Sequence, residues 1–207
     1  MDPRVQVVAA GYDAMTDTWE DFKTRITSDP RDAWCAELVG RVPEGAHVVE
    51  LGCGGGSDET RLLAERFRLT CVDASREQLR RARSRVPAVA EFVEADFTEL
   101  ELPPRSVAAV CAFYSFNHVP RDLLPGLFAR IHGWLEPCGL LLAALGTSDT
   151  EGWHGEWLGV PMYFSSFPPA HNSRLLRAAG FELLRDEVVT FEEPDGEARF
   201  QWVLART

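Results

Sequence analysis

Lysine is almost missing from this 207-residue chain: Lys23 is the single one, set in a polar N-terminal stretch. Chemistry that needs a buried Schiff-base lysine, or the GK[ST] loop of a phosphate-binding NTPase, has almost no candidate residue. Paired cysteines are missing too. Cys35, Cys53, Cys71, Cys111 and Cys138 are odd in number and far apart, with no CxxC and no His–Cys pair at ligand spacing. Neither a disulfide framework nor a bound metal is expected. No run approaches the roughly 18 apolar residues that cross a bilayer, and the first fifteen residues lack a basic segment followed by an apolar one. The expectation is a soluble, cytoplasmic protein with no membrane partner. Positive charge is scarce overall, with 21 basic against 32 acidic residues and a net charge of -11, so the phosphate backbone is repelled and nucleic acid is not an expected partner. The one dense basic stretch, Arg76, Arg80, Arg81, Arg83 and Arg85, alternates with apolar positions as a solvated helix face does.

What is present is ordinary globular composition, 45% hydrophobic and 26% charged, enough for one domain with a sizeable core. From about residue 46, short apolar runs alternate with helical stretches. Strands are expected at 47–51, 69–72, 91–95, 107–113 and 140–145, with helices at 57–67, 76–85 and 122–135. That alternation implies an α/β fold with a parallel sheet, and strands this apolar read as buried on both faces. Residues 148–169 change character, gathering Trp153, His154, Trp157, Met162, Tyr163, Phe164 and Phe167 into what reads as a long functional loop. A helix over 172–179 stopped by Gly180 follows, then two strand-like stretches, 181–192 and 197–205, joined by the turn residues Pro194, Asp195 and Gly196. One domain over 1–207 is expected: two N-terminal helices acting as a lid over 1–45, a cofactor-binding core over 46–147, an aromatic substrate loop over 148–169, and a terminal helix and hairpin over 170–207.

The sharpest chemical signal is Val48-Val49-Glu50-Leu51-Gly52-Cys53-Gly54-Gly55-Gly56-Ser57, a buried strand that runs through three consecutive glycines into a helix. Glycines there let the backbone approach a ligand with no Cβ in the way. Asp73 ends the next strand, where a carboxylate can accept both hydroxyls of an adenosine ribose. Asp96 ends the third strand beside Phe97, a pairing suited to a purine. The third glycine falls one residue early for a dinucleotide turn. Glu50 is wrong beside a pyrophosphate and right beside an ammonium or sulfonium, which favours S-adenosylmethionine over NAD.

These residues resemble the class I S-adenosylmethionine-dependent methyltransferases, particularly the small ubiquinone-methyltransferase-like (methyltransferase type 11) group, and the resemblance runs over nearly the whole chain. Glu50 to Gly56 is similar to that family's E-x-G-x-G-x-G turn, Val72-Asp73-Ala74-Ser75 to its ribose-binding strand end, and Glu94-Ala95-Asp96-Phe97 to its adenine segment. The resemblance implies a Rossmann-like, mostly parallel seven-stranded sheet with helices on both faces and a C-terminal antiparallel hairpin. It also implies a cofactor site drawn from Tyr12, Glu50, Gly52, Cys53, Gly54, Gly56, Asp73, Ala74, Asp96, Phe97 and Phe113. Cys138, where the family has glycine before the fifth strand, is expected to be harmless.

A sulfonium is a good leaving group, so the protein's main tasks are alignment and exclusion of water, with a base needed only when the acceptor carries a proton. His118, after the fourth strand, and His154, in the aromatic loop, are the candidate catalytic residues. Tyr114, Trp153, Trp157, Met162, Tyr163 and Phe164 are the candidate substrate wall. The expected function is methyl transfer to an oxygen or nitrogen of a small organic molecule, with specialised metabolism as a candidate setting. The alternatives are a protein or peptide methyltransferase and a non-catalytic regulatory protein that binds the same cofactor. No oligomeric state is assigned.

Overall fold

The computed structural model describes residues 1–207. Its centre is a seven-stranded sheet in the order β3-β2-β1-β4-β5-β9-β8. The strands are β1 (His47–Leu51), β2 (Arg68–Asp73), β3 (Glu91–Glu94), β4 (Val107–Ala112), β5 (Leu135–Gly146), β8 (Glu182–Glu193) and β9 (Gly196–Arg206). β1 to β5 run parallel, and β9 enters antiparallel between β5 and β8. The expected sheet and terminal hairpin are both present.

Side chains on β1 alternate between two cores because successive residues of a strand face opposite sides. Val48 packs with Trp34, Leu38 and Leu63, from helices α3 (Arg31–Val39) and α4 (Asp58–Arg66). Leu79 of α5 (Arg76–Arg85) joins that side. Val49 and Leu51 pack on the other side with Leu127, Phe128 and Ile131 of α6 (Leu124–Trp134) and Leu176 of α7 (Pro169–Ala178). The chain reverses its direction of winding between β1 and β4, and the crevice beyond the carboxyl ends of those strands is where an open α/β sheet receives ligands.

Three expectations need correction. The N-terminal stretch forms three helices, α1 (Pro3–Ala14), α2 (Thr16–Thr24) and α3, in place of two. The break at Met15 comes where the Thr16 hydroxyl bonds back to the carbonyls of Tyr12 and Asp13. Residues 148–169 are not a loop. They form a second, two-stranded sheet, β6 (Thr150–Trp157) and β7 (Val160–Ser166), closed by Leu158 and Gly159 at φ 50° and 82°. Two consecutive positive φ values make the turn that suits the twist of a hairpin, and Leu at its first position hides a signal that Asn or Gly would have given. Cys138, finally, sits at φ 66°, the left-handed region that glycine enters freely and a residue with a Cβ enters at a cost.

Hairpin β6–β7 rests on α1 through a small core of Val8, Met15, Met162 and Tyr163. Gly11 permits the approach, since a Cβ there would lie 3.0 Å from the Pro161 carbonyl oxygen. Helices α1 and α2 and this hairpin together roof the crevice at the switch point. No helix is long and apolar enough to cross a membrane.

Candidate functional site

The turn from β1 to α4 holds Gly52, Gly54 and Gly56 at φ 74°, 55° and 75°. At Gly52 two demands coincide. Besides the positive φ, a Cβ there would overlap the Cβ of Ser115, whose hydroxyl donates to the Leu51 carbonyl at 2.8 Å. Ser57 then caps α4 in a reciprocal pair with Thr60, so the turn is fixed at both ends.

Asp73 faces this turn from the end of β2. Its Oδ2 accepts from the Gly54 N–H and its Oδ1 from the Ser75 N–H, each at 2.8 Å. Burial lifts its carboxyl to about 6, with those N–H donors working in the opposite direction. Asp96 is buried at the end of β3. Its Oδ1 takes the Thr98 N–H and hydroxyl at 2.9 and 2.7 Å, while its Oδ2 is buried with no partner. Strand order brings the two carboxylates to the same edge.

Across the crevice, Tyr12 of α1 and His118 of the short 3-10 turn Phe116–His118 are joined side chain to side chain at 3.0 Å. His118 Nδ1 is 2.9 Å from the Tyr163 carbonyl oxygen, which can only accept, so Nδ1 carries the proton and Nε2 accepts from the Tyr12 hydroxyl. Burial holds the ring near pKa 4, so it is neutral at physiological pH. Above it, Trp157 stands edge-on to Phe164 and tilted against Trp19. Tyr114, at φ 57°, donates to Asp29 Oδ1 at 2.7 Å and lies under the Arg31 guanidinium. An aromatic residue in the left-handed region at a ligand crevice is strain kept in place by its surroundings.

These groups surround one cavity of about 260 Å³. Of the residues singled out from sequence, Tyr12, Gly52, Cys53, Gly54, Gly56, Asp73, Ala74, Asp96, Phe97, Phe113, Tyr114, His118, Trp157 and Phe164 all line it. Five do not. Glu50 shares the face of Val48 by strand alternation and lies beneath the turn. There it accepts from the Thr60 hydroxyl at 3.2 Å and the Cys71 thiol at 3.7 Å, and burial pushes its carboxyl to about 7. It braces the start of α4 and touches no ligand space. Trp153 and His154 are both exposed and point to opposite faces of β6, Trp153 paired across the hairpin with Phe164 and His154 with Tyr163, and neither reaches the cavity. Met162 and Tyr163, 1% and 2% exposed, fill the small core under the hairpin. The hairpin register, invisible while the segment reads as a loop, divides the aromatic cluster this way.

Sequence reading missed Trp19, Lys23, Arg31, Gln78, Asn117 and Glu193, all of which line the cavity. Only Lys23 carried a signal, as the sole lysine. The others come from elements distant in sequence whose meeting the tertiary fold decides.

The lining fits an adenosine-type sulfonium cofactor. Asp96 Oδ2, Gln78 Oε1, Asn117 Oδ1 and Arg31 Nε are buried without a hydrogen-bond partner, an unusual concentration of unmet polar atoms around one space. Three acceptors and one donor match a ligand with amino and hydroxyl donors and a carboxylate. Gly54 puts no side chain into that space, where a Cβ would lie 3.7 Å from Gln78 Oε1.

Comparison with known proteins agrees with this geometry. A family model described as a methyltransferase domain matches residues 48–139, from β1 into β5. A trans-aconitate 2-methyltransferase of Paracidovorax citrulli is 38% identical over 146 residues, covering 66% of this chain and 53% of that protein. The chain spans about half the length of the curated relatives it matches. Among solved structures, the DhpI complex with S-adenosylhomocysteine superposes with a TM-score of 0.74 at 19% identity, covering 98% of this chain and 96% of that one. The Burkholderia thailandensis 1,6-didemethyltoxoflavin-N1-methyltransferase, with 1,6-didemethyltoxoflavin and S-adenosylhomocysteine bound, gives 0.70 at 24% identity, covering 96% and 84%. The agreement with these structures is one of fold.

Proposed function

We propose that the chain, as a class I S-adenosylmethionine-dependent methyltransferase, transfers a methyl group from S-adenosylmethionine to an oxygen or nitrogen of a small organic molecule, a reading supported by the matched methyltransferase domain and the curated relatives. The observation that carries the reading is the pair of strand-end carboxylates, Asp73 and Asp96, facing one cavity beside a glycine turn, with Asp96 Oδ2 still unpartnered.

When bound, the cofactor supplies an activated methyl on a sulfonium and needs no further activation. Asp73 accepts the ribose hydroxyls on the lone pairs left by the two backbone N–H donors. Asp96 Oδ2 accepts the purine amino group, and Phe97 packs against the ring. Arg31 Nε is the donor for the carboxylate at the amino-acid end, and Gln78 Oε1 is an acceptor for its ammonium. Tyr12, Trp157 and Phe164 keep water from the reacting atoms. His118 holds Tyr12 in place through the neutral Nε2. The roof of α1, α2 and β6–β7 leaves a partly covered aromatic chamber, which suits a small acceptor better than an extended polypeptide. The curated relatives' name, trans-aconitate 2-methyltransferase, likewise denotes a small-molecule acceptor.

Parallel calorimetric titrations with S-adenosylmethionine, S-adenosylhomocysteine and NAD test the reading. Micromolar binding of the two sulfur compounds with no heat from NAD supports it, and binding of NAD alone overturns it.

A further inference from the structure

Resting on the methyl-transfer reading above, we propose that Glu193 takes the proton from the methyl acceptor, and that the acceptor is a neutral or cationic small molecule with an ionisable O–H or N–H, not a polycarboxylate.

The charges around the cavity carry the argument. Its two lining cations are already matched. Lys23 Nζ lies 2.7 Å from Glu20, and Arg31 lies 2.7 Å from Asp29 and 3.6 Å from Glu59. Of its three lining carboxylates, Asp73 and Asp96 are tied to backbone N–H groups at the strand ends. Glu193 lines the cavity with no side-chain hydrogen bond and no salt bridge, so the one unmatched charge on the lining is negative. A polycarboxylate entering beside bound cofactor would give up its hydration, find Arg31 holding the cofactor carboxylate and Lys23 paired with Glu20, and face the Glu193 charge. The relatives named for trans-aconitate match only part of this chain, and the matched residues do not require the same acceptor.

Glu193 is placed and held for a role. It ends β8 at the tip of the terminal hairpin, which is anchored where the Thr27 N–H donates to the Glu192 carbonyl at 3.2 Å. Phe191, two residues earlier, is buried and stacked on Phe200. The titratable groups that feel Glu193 are Asp195 on its own hairpin, Asp29 before α3, Tyr12 on α1 and Tyr114 after β4, while Lys23 and Arg31 line the same cavity. Burial first, and then Asp195 and Asp29, lift its carboxyl to about 7, a base strength matched to neutral pH. Asp73, lifted to about 6, has both oxygens engaged by the Gly54 and Ser75 N–H groups and is assigned to the ribose. His118 is too weak a base and has both ring nitrogens engaged, while burial pushes the Tyr12 and Tyr114 hydroxyls up and out of range.

In the step, the acceptor heteroatom forms its bond to the methyl carbon as the sulfur–methyl bond breaks, its electron pair remaining on sulfur. The O–H or N–H proton passes to a Glu193 carboxylate oxygen, leaving a neutral carboxylic acid that solvent deprotonates at the cavity mouth.

The test compares wild type with Glu193→Gln. Calorimetry with S-adenosylhomocysteine comes first. Affinities within about threefold of each other show the cofactor site intact, and failure of the wild type to bind sinks the cofactor reading and this proposal with it. Carbon NMR on protein labelled at glutamate carboxyls then follows the resonance that Glu193→Gln removes. A midpoint near pH 7 is expected, and one near the ordinary glutamate value overturns the assignment. Trans-aconitate is then titrated into protein saturated with S-adenosylhomocysteine. Weak binding to wild type, tightened roughly tenfold in Glu193→Gln, is expected. Equal, tight binding to both overturns the acceptor class. With tritiated S-adenosylmethionine and a panel of phenols and heteroaromatic N–H compounds, label transfer by wild type falls at least about 100-fold in Glu193→Gln. Transfer to trans-aconitate alone overturns the proposal.

Discussion

The Tyr12 hydroxyl donates to His118 Nε2 across 3.0 Å, and the same ring donates from Nδ1 to the Tyr163 carbonyl at 2.9 Å. One imidazole thus ties α1 to the turn after β4 and to hairpin β6–β7. With both nitrogens occupied and the ring neutral, we infer that His118, a candidate catalytic residue from sequence, orients the roof tyrosine.

Replacing either member should therefore disturb the same thing. Tyr12→Phe and His118→Ala are expected to lower kcat/KM by similar factors, on the order of tenfold, with the double variant little worse than either single one. Additive losses in a double-mutant cycle would show separate roles. Because the ring stays neutral down to about pH 4, His118→Asn should leave any rate inflection between pH 5 and 8 where it is.

The same depressed pKa has a stability consequence. A histidine whose folded value lies below its unfolded one stabilises the fold above pH 6.5, and that contribution is lost as pH falls through 4. Thermal melts should show a steeper decline from pH 6.5 to 4 in wild type than in His118→Asn, by about 2–3 kcal/mol. Parallel curves would mean that the ring is not buried neutral.

Glu50 works in the opposite direction. Its folded pKa of about 7 lies above its unfolded value, so its contribution is complete below about pH 4.5 and disappears as pH rises through 7. Glu50→Gln keeps an acceptor for the Thr60 hydroxyl and removes the buried charge. It should be more stable than wild type by about 1–3 kcal/mol at pH 8, with the difference shrinking toward pH 5. Affinity for S-adenosylhomocysteine should stay within about threefold, since Glu50 does not line the cavity. A loss above about 30-fold would return Glu50 to the ligand.

Asp73→Ala removes a carboxylate that holds both the glycine turn and the ribose position. Calorimetry should record S-adenosylhomocysteine binding weaker by about 1.5–3 kcal/mol, the range for charged hydrogen bonds. Unchanged affinity would refute the ribose assignment.

At Cys138 a side chain occupies a conformation that suits glycine. Cys138→Gly is expected to stabilise the protein by about 1 kcal/mol, raising Tm by roughly 2–4 °C, because the left-handed strain outweighs the added chain entropy of glycine. A lower Tm would show that the exposed Cys138 side chain contributes contacts worth more than the strain.

The sequence by itself determined the sheet, the glycine turn and the two strand-end carboxylates. Buried parallel strands write themselves as continuous apolar runs, and a turn that must admit a ligand writes itself as glycine; both signals are local. Asp73 and Asp96 were legible because the position after a strand fixes which edge a residue reaches. The tertiary structure alone decided which aromatics of 148–169 face the cavity, because that follows from a hairpin register set by a Leu158-Gly159 turn with no sequence signature. It alone turned Glu50 beneath the turn, since which face of β1 meets α4 depends on how the layers stack. It alone brought Lys23, Arg31 and Glu193 from α2, α3 and β8 to one space. Charge balance in a cavity is a property of groups distant along the chain, and it exists only once folding has brought them together.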